Sequence, residues 1–152
     1  MIRSTFQRMA VLPVLCCALL MLLAARSEAQ TPAAGKLIVK VTGFHNTDGN
    51  VVLRVRSDEQ TVVATRTVEI DSKTMTAQAV FDNLAQGTYG VFALHDGNKN
   101  GQLDFDAQGM PLEGYGHSNN PAKRPGPPSF DETKFTLGKT DVTIEIELIY
   151  WP

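Results

Sequence analysis

The sequence has very little cysteine: two in 152 residues, Cys16 and Cys17, side by side in an apolar run near the N-terminus. Beyond residue 29 there is none, which excludes disulfide staples, thiol catalysis and cysteine-ligated zinc from that part of the chain. An excess of charge of one sign is also missing. With 14 Lys+Arg against 16 Asp+Glu the formal net charge is -2, so the basic footprint needed to neutralise nucleic-acid phosphates is absent and nucleic acid is not an expected partner. No segment carries a helical apolar stripe, which argues against bundles and α/β folds. There is no Gly-x-Ser-x-Gly elbow, phosphate loop or His-Glu-x-x-His pair, so no nucleophile stands at a recognisable spacing from a base.

The first 29 residues read as a targeting segment. Arg3 and Arg8 precede an apolar run from Met9 to Ala25, 17 residues long, which is short against the roughly 20 of a membrane-spanning helix and is interrupted by Pro13. Ser27-Glu28-Ala29 then sets small residues where a signal peptidase reads, so a signal peptide over residues 1–29 is expected, with an uncleaved N-terminal anchor as the alternative. Leu15 and Cys16, not small residues, precede the two cysteines, which disfavours a lipid anchor. Cleavage leaves residues 30–152 with 11 basic and 15 acidic residues, a net charge of -4. One mildly acidic domain is expected, bacterial and periplasmic or extracellular, without a stable membrane span after cleavage. It is expected to be a monomer whose partner is a cell-envelope protein or a small ligand.

Period-two alternation dominates what remains. Leu37, Val39 and Val41 alternate with Ile38, Lys40 and Thr42 as a half-buried strand requires. Asp48-Gly49 then suits a tight turn into a second strand, Val51 to Arg56, with Val51, Leu53 and Val55 inward and Arg54 and Arg56 outward. Those two strands are expected to pair antiparallel. Further strands are expected over Val62 to Ile70, Thr74 to Phe81, Thr88 to Leu94 and Asp141 to Tyr150. Short strands between turn signals predict an all-β fold, an antiparallel two-sheet sandwich of immunoglobulin-like type. One Gly-, Pro- and Asn-rich loop, from Asp96 to about Phe130, is too long for an ordinary connection and is expected to be functional.

That loop opens with Asp96-Gly97-Asn98-Lys99-Asn100-Gly101-Gln102-Leu103-Asp104. Oxygen-bearing side chains at positions 1, 3, 5 and 9, with glycine at 6, match the front of a calcium loop, in which alternate residues of a tight turn aim their oxygens at one centre. Asp96, Asn98, Asn100, Gln102 (through its carbonyl) and Asp104 are the expected ligands. Position 12 is Ala107 where a bidentate Glu belongs, so Asp106, Glu113 or water must complete the shell. The competing reading is a metal-free turn in which the Asx side chains bond their own backbone. Tyr115, His117, Asn119 and Asn120 form the expected contact surface.

The runs Phe81-Asp82-Asn83-Leu84 to Gly87-Thr88-Tyr89, His95 to Gly101, Gly109-Met110-Pro111-Leu112-Glu113-Gly114-Tyr115-Gly116, Ser118-Asn119-Asn120 and Pro127-Pro128-Ser129-Phe130 resemble an exported bacterial family known as domain of unknown function family 2141. The resemblance covers the chain from about Gly35 to Tyr150. It implies export and a single β domain but no activity. The Phe-x-x-Leu-x-x-Gly-x-Tyr element is similar to that of prealbumin-like and carboxypeptidase-regulatory-like sandwiches, which implies an accessory role. His117 stands where the family's Gly-Tyr-Gly-x-Ser-Asn pattern leads one to expect an aromatic residue, so the resemblance assigns it no essential function.

Two functional readings follow. In the first the chain is a noncatalytic binding or accessory module with a calcium-stabilised loop. In the second it is a periplasmic enzyme or transition-metal site, which requires His95, Glu113 and His117 to converge. Alternation turns His95 to the Val91 and Ala93 side, where a structural histidine is the simpler reading. Trp151 and Tyr150 are expected to close one end of the sandwich, and Lys123 and Arg124 to lie in a solvated turn.

Overall fold

The computed structural model describes residues 35–152; the expected signal peptide lies outside the described residues. Eight strands and one helical turn follow in the order β1 (Leu37–Thr42), β2 (Asn50–Arg56), β3 (Val62–Val68), β4 (Ala77–Phe81), β5 (Gly87–Asp96), β6 (Gly114–His117), α1 (Phe130–Thr133), β7 (Phe135–Leu137) and β8 (Val142–Glu147). They make two sheets, one of three strands in the order β4-β1-β8 and one of five in which β3-β2-β5-β6 run in order and β7 also pairs with β5. The fold is all-β, with a single helical turn. Among the described residues no helix is long and apolar enough to cross a membrane.

Alternation decides which side chains form the core. Leu37, Val39 and Val41 of β1, Ala77, Ala79 and Phe81 of β4, Val51, Leu53 and Val55 of β2 and Val91 and Ala93 of β5 belong to one buried cluster. Each fully buried Val or Leu contributes about 1.5 to 3 kcal/mol relative to exposure, so this cluster is the main source of stability.

Two expectations about pairing are corrected. β1 and β2 do not form a hairpin: β1 pairs with β4 and β8, and β2 pairs with β3 and β5. The segment between them is a crossover from one sheet to the other, and Phe44 within it is buried in the core, an anchor that a tight two-residue turn cannot provide. The sandwich is also not wholly antiparallel, because β8 runs parallel to β1.

β5 is the organising strand. Ten residues long, it carries β2 along one edge, and along the other it pairs with β7 at Gly87 to Tyr89 and with β6 at Phe92 to His95. Ser118 fills the interval. Its N–H donates to the Val91 carbonyl at 2.9 Å, its Oγ accepts the Val91 N–H at 2.9 Å and donates to the Thr133 carbonyl at 2.5 Å, and it is fully buried. Ser118→Ala removes the partners of a buried N–H and a carbonyl, and a loss of about 1 to 3 kcal/mol is expected in urea denaturation; an unchanged midpoint would mean that Ser118 does not hold this junction.

β5 is also covered on both faces. On the face away from the main core, Val52, Phe92 and Leu94 form a second small buried cluster with Leu103 and Tyr115 packed against it. The segment expected as one loop from Asp96 to about Phe130 is therefore not a single loop: β6 interrupts it by pairing with β5, and its residues Leu103 and Tyr115 have an apolar seat of their own.

Candidate functional site

The loop leaves the sheet at Asp96, whose side chain is buried. Its carboxylate accepts the N–H of Asn100 through Oδ1 at 3.0 Å and that of Gly101 through Oδ2 at 2.7 Å, which bends the chain back on itself. Lys99 and Gly101 take the positive φ values, 61° and 77°, that this reversal demands. Asn98 Oδ1 accepts from Asn100 N–H and Asn100 Oδ1 from Gln102 N–H, so positions 3 and 5 of the motif each close an Asx turn. Glu113 returns from beyond the loop and clamps its two ends, accepting Gly97 N–H through Oε1 at 2.9 Å and Asp104 N–H through Oε2 at 3.2 Å. Arg54 fastens the turn to the sheet by donating to the Gly101 carbonyl at 2.5 Å.

Three of the five expected ligands, Asn98, Asn100 and Asp104, share one side-chain network. Asn98 Nδ2 donates to Asp104 Oδ2 at 2.6 Å, and Asn100 Nδ2 lies 3.1 and 3.0 Å from the two Asp104 oxygens. Among the described residues no three His, Cys, Asp or Glu side chains cluster closely enough to hold a metal ion, so a cation here depends on the two amides turning their oxygens inward. Asn50, the cross-strand neighbour of Asp96, has a buried Oδ1 without a hydrogen-bond partner, and this gives the root of the loop one further free oxygen. Asp106 serves a second turn, accepting from Gln108 and Met110 N–H. That turn reverses a short arm whose Asp104 carbonyl accepts from Leu112 N–H.

This arm walls a groove of about 360 Å³ on the outer face of the five-stranded sheet. Phe92, Tyr115 and His117 lie on the sheet beneath it, Leu103, Phe105 and Met110 come from the arm, and residues 125–127 and Trp151 stand opposite. Trp151 is held in place by donation from Nε1 to Tyr115 Oη at 2.8 Å, with the Lys123 ammonium 4.3 Å from its ring centroid. Lys123 and Arg124 are thus not simply solvated: Lys123 Nζ donates to the Tyr150 carbonyl, and Arg124 meets Glu132 through both guanidinium nitrogens at 2.8 and 2.6 Å. Arg124 and the Ser129 donors hold the Glu132 carboxyl down at about 2.

The three residues of the enzyme reading are not brought together. In the β5–β6 register His95 opposes Gly114 and Phe92 opposes His117, so alternation sets the two imidazoles on opposite faces of the sheet. His95 is buried and engaged at both ring nitrogens, with Nε2 donating to the Asp48 carbonyl and Nδ1 accepting from Tyr150 Oη, both at 2.7 Å. Burial raises the Tyr150 hydroxyl pKa, so it stays protonated as that donor. His117 faces the groove, and burial followed by the nearby Arg56 cation pushes its pKa down to about 4.

Asn119 and Asn120 serve the fold. Asn119 Nδ2 donates to the carbonyls of Glu132 and Lys134. Asn120 imitates a peptide against the edge of β8, donating to the Glu145 carbonyl and accepting the Glu147 N–H. Of the expected contact residues, Tyr115 and His117 line the groove.

The model of an uncharacterized protein conserved in bacteria, DUF2141, matches residues 39–145. The chain belongs to this family. The match spans the crossover, the Asp96 loop, the arm and the Asn119-Asn120 turn, so this DUF2141 domain contains the whole candidate site apart from Trp151. No curated protein and no solved structure matches the chain.

Arg56, Phe92, Phe105 and Trp151 were not legible as site residues. The available signal was the run Tyr89 to His95, where Phe92 and Leu94 place apolar side chains on the face that alternation assigns to solvent. An apolar outer face needs a cover, and the long loop is that cover.

Proposed function

We propose that this chain is an exported, noncatalytic binding or accessory module of the periplasm or cell exterior, built as a prealbumin-like sandwich, in which the Asp96 loop takes up calcium. The observation that carries the reading is the single network joining Asn98, Asn100 and Asp104. Rotating each amide about its Cβ–Cγ bond exchanges Nδ2 for Oδ1 at nearly the same point, which converts two donors facing Asp104 into ligands facing a cation and gives up the two hydrogen bonds those oxygens accept from the Asn100 and Gln102 N–H groups. Asp96 and Asp104 supply two formal negative charges, Gln102 its carbonyl, and Glu113 keeps the ends of the loop together. A shell of so few carboxylates suits the weak affinities of extracellular calcium modules, about 10⁻⁴ to 10⁻³ M. A stiffened loop fixes the arm beyond it and with it one wall of the groove.

Calcium at 10 mM is expected to stabilise the protein by roughly 1.5 to 3 kcal/mol over the same sample in chelator, seen as a melting point several degrees higher. In Asp104→Asn the response should vanish while the melt in chelator stays near wild type, because an amide at 104 retains an acceptor for the neighbouring asparagines. Equal wild-type melts with calcium and with chelator would leave the metal-free turn as the correct description.

A further inference from the structure

We propose that the groove on the outer face of the five-stranded sheet binds a small aromatic carboxylate, with the Arg56 guanidinium taking the carboxylate and the Phe92, Tyr115 and Trp151 side chains enclosing the ring. The inference rests on the reading of the chain as a binding module and names what it binds. It does not depend on a cation in the loop.

Arg56 is the decisive residue. The three arginines near this face differ in what they do. Arg54 is used by the Gly101 carbonyl and Arg124 by Glu132, whereas the Arg56 guanidinium makes neither an ion pair nor a hydrogen bond to any described residue, and its Nε is buried without a partner. Its carbon lies 6.0 Å from the Phe92 ring centroid, so the fork is held over an aromatic face with its donors unused. The register of β2 against β3 shifts between Val55 and Arg56, and bulges of this kind re-aim the side chain that follows. Asp58 and Glu59 line an adjoining cleft with Arg56 but are bonded elsewhere: Asp58 to the Gln60 and Thr61 amides, and Glu59 to the Phe130 amide.

The remaining surfaces select the rest of the ligand. A guanidinium with free, forked donors matches a carboxylate bidentately. The apolar and aromatic walls match a ring, and about 360 Å³ falls at the small end of ligand pockets. Phe105, 55 % exposed at the rim, is placed to close over a bound ring. His117 enters the groove as a neutral imidazole at neutral pH and does not compete with the guanidinium for the anion.

Trp151, the single tryptophan of the chain, lines the groove, so its fluorescence reports on this site. Titrating the full chain with 3-phenylpropionate should give saturable quenching, with 3-phenylpropanamide and acetate each at least 10-fold weaker. Arg56→Gln should weaken phenylpropionate binding 10-fold or more with an unchanged circular dichroism melt. Phe105→Ala, at an exposed position, should weaken it several-fold. Absence of saturable quenching, equal binding of acid and amide, or full affinity in Arg56→Gln would each overturn the assignment. Lost binding beside an intact calcium response would remove this inference alone, whereas chemical conversion of the bound acid would support the site and overturn the noncatalytic reading.

Discussion

Lowering the pH from 6.5 to 4 is expected to remove up to about 3 kcal/mol of folding stability through His117 alone. Its pKa in the folded protein is pushed down to about 4 from 6.5, first by burial and then by Arg56. Between those values the unfolded chain binds the proton and the folded chain does not, so stability is full at neutral pH and falls as the medium acidifies. The groups facing His117 carry both signs, since Glu147, Asp58 and Glu59 line clefts it shares, and burial together with Arg56 sets the direction. Arg56 approaches from β2, Lys123 and Arg124 line the cleft beside it, and Phe92 and Tyr115 pack against the ring with centroids 5.2 and 6.0 Å away. His117→Phe keeps an aromatic side chain on Phe92 and removes the titration, so urea midpoints from pH 7 to 4.5 should fall for the wild type and stay much flatter for the variant. Glu132 also loses a favourable charge interaction in acid, but only as pH falls from its ordinary 4.5 towards about 2, below that window. Parallel curves for the two proteins would show that His117 is not held neutral.

Gly49→Ala is expected to be the most damaging single substitution at the root of the loop, costing about 3 to 5 kcal/mol. Gly49 has φ +74°, and a Cβ placed there collides with the Asp96 carbonyl oxygen and comes within 2.6 Å of Gly97 Cα. The obstacle is backbone, which cannot rotate away. The strain of an alanine at positive φ and the displaced contact add, and the displaced strand end carries Asp96 itself. Gly101→Ala separates the two costs, because Gly101 has φ +77° with nothing within 4 Å of where an alanine methyl would sit and should lose only about 1 kcal/mol. Chemical denaturation of both variants tests this, and similar midpoints would contradict the close approach of the crossover to Asp96.

These two residues show how the candidate site depends on contacts remote in sequence. Glycine at 49 read as half of a tight hairpin, but its role is to let the crossover lie against the end of β5, where Asp48 also accepts from His95. Histidine at 117 read as a surface contact, but the arm and the proline-rich segment enclose it.

Period-two alternation was sufficient to locate β1 to β5 and β8 and the inward residues of β1, β2, β4 and β8, because a half-buried strand writes its own face into every second residue, but it missed the short strands β6 and β7. The oxygen-rich loop was equally legible, since an Asx turn needs its residues at fixed short spacing. Pairing was not. Whether β1 lies beside β2 or beside β4 and β8 is decided by packing across the two sheets, and the parallel β1–β8 pair joins residues about a hundred positions apart. The groove was hidden for the same reason: Arg56, Phe92, Tyr115 and Trp151 come from four separate segments, and only tertiary structure places an unpaired guanidinium over an aromatic floor.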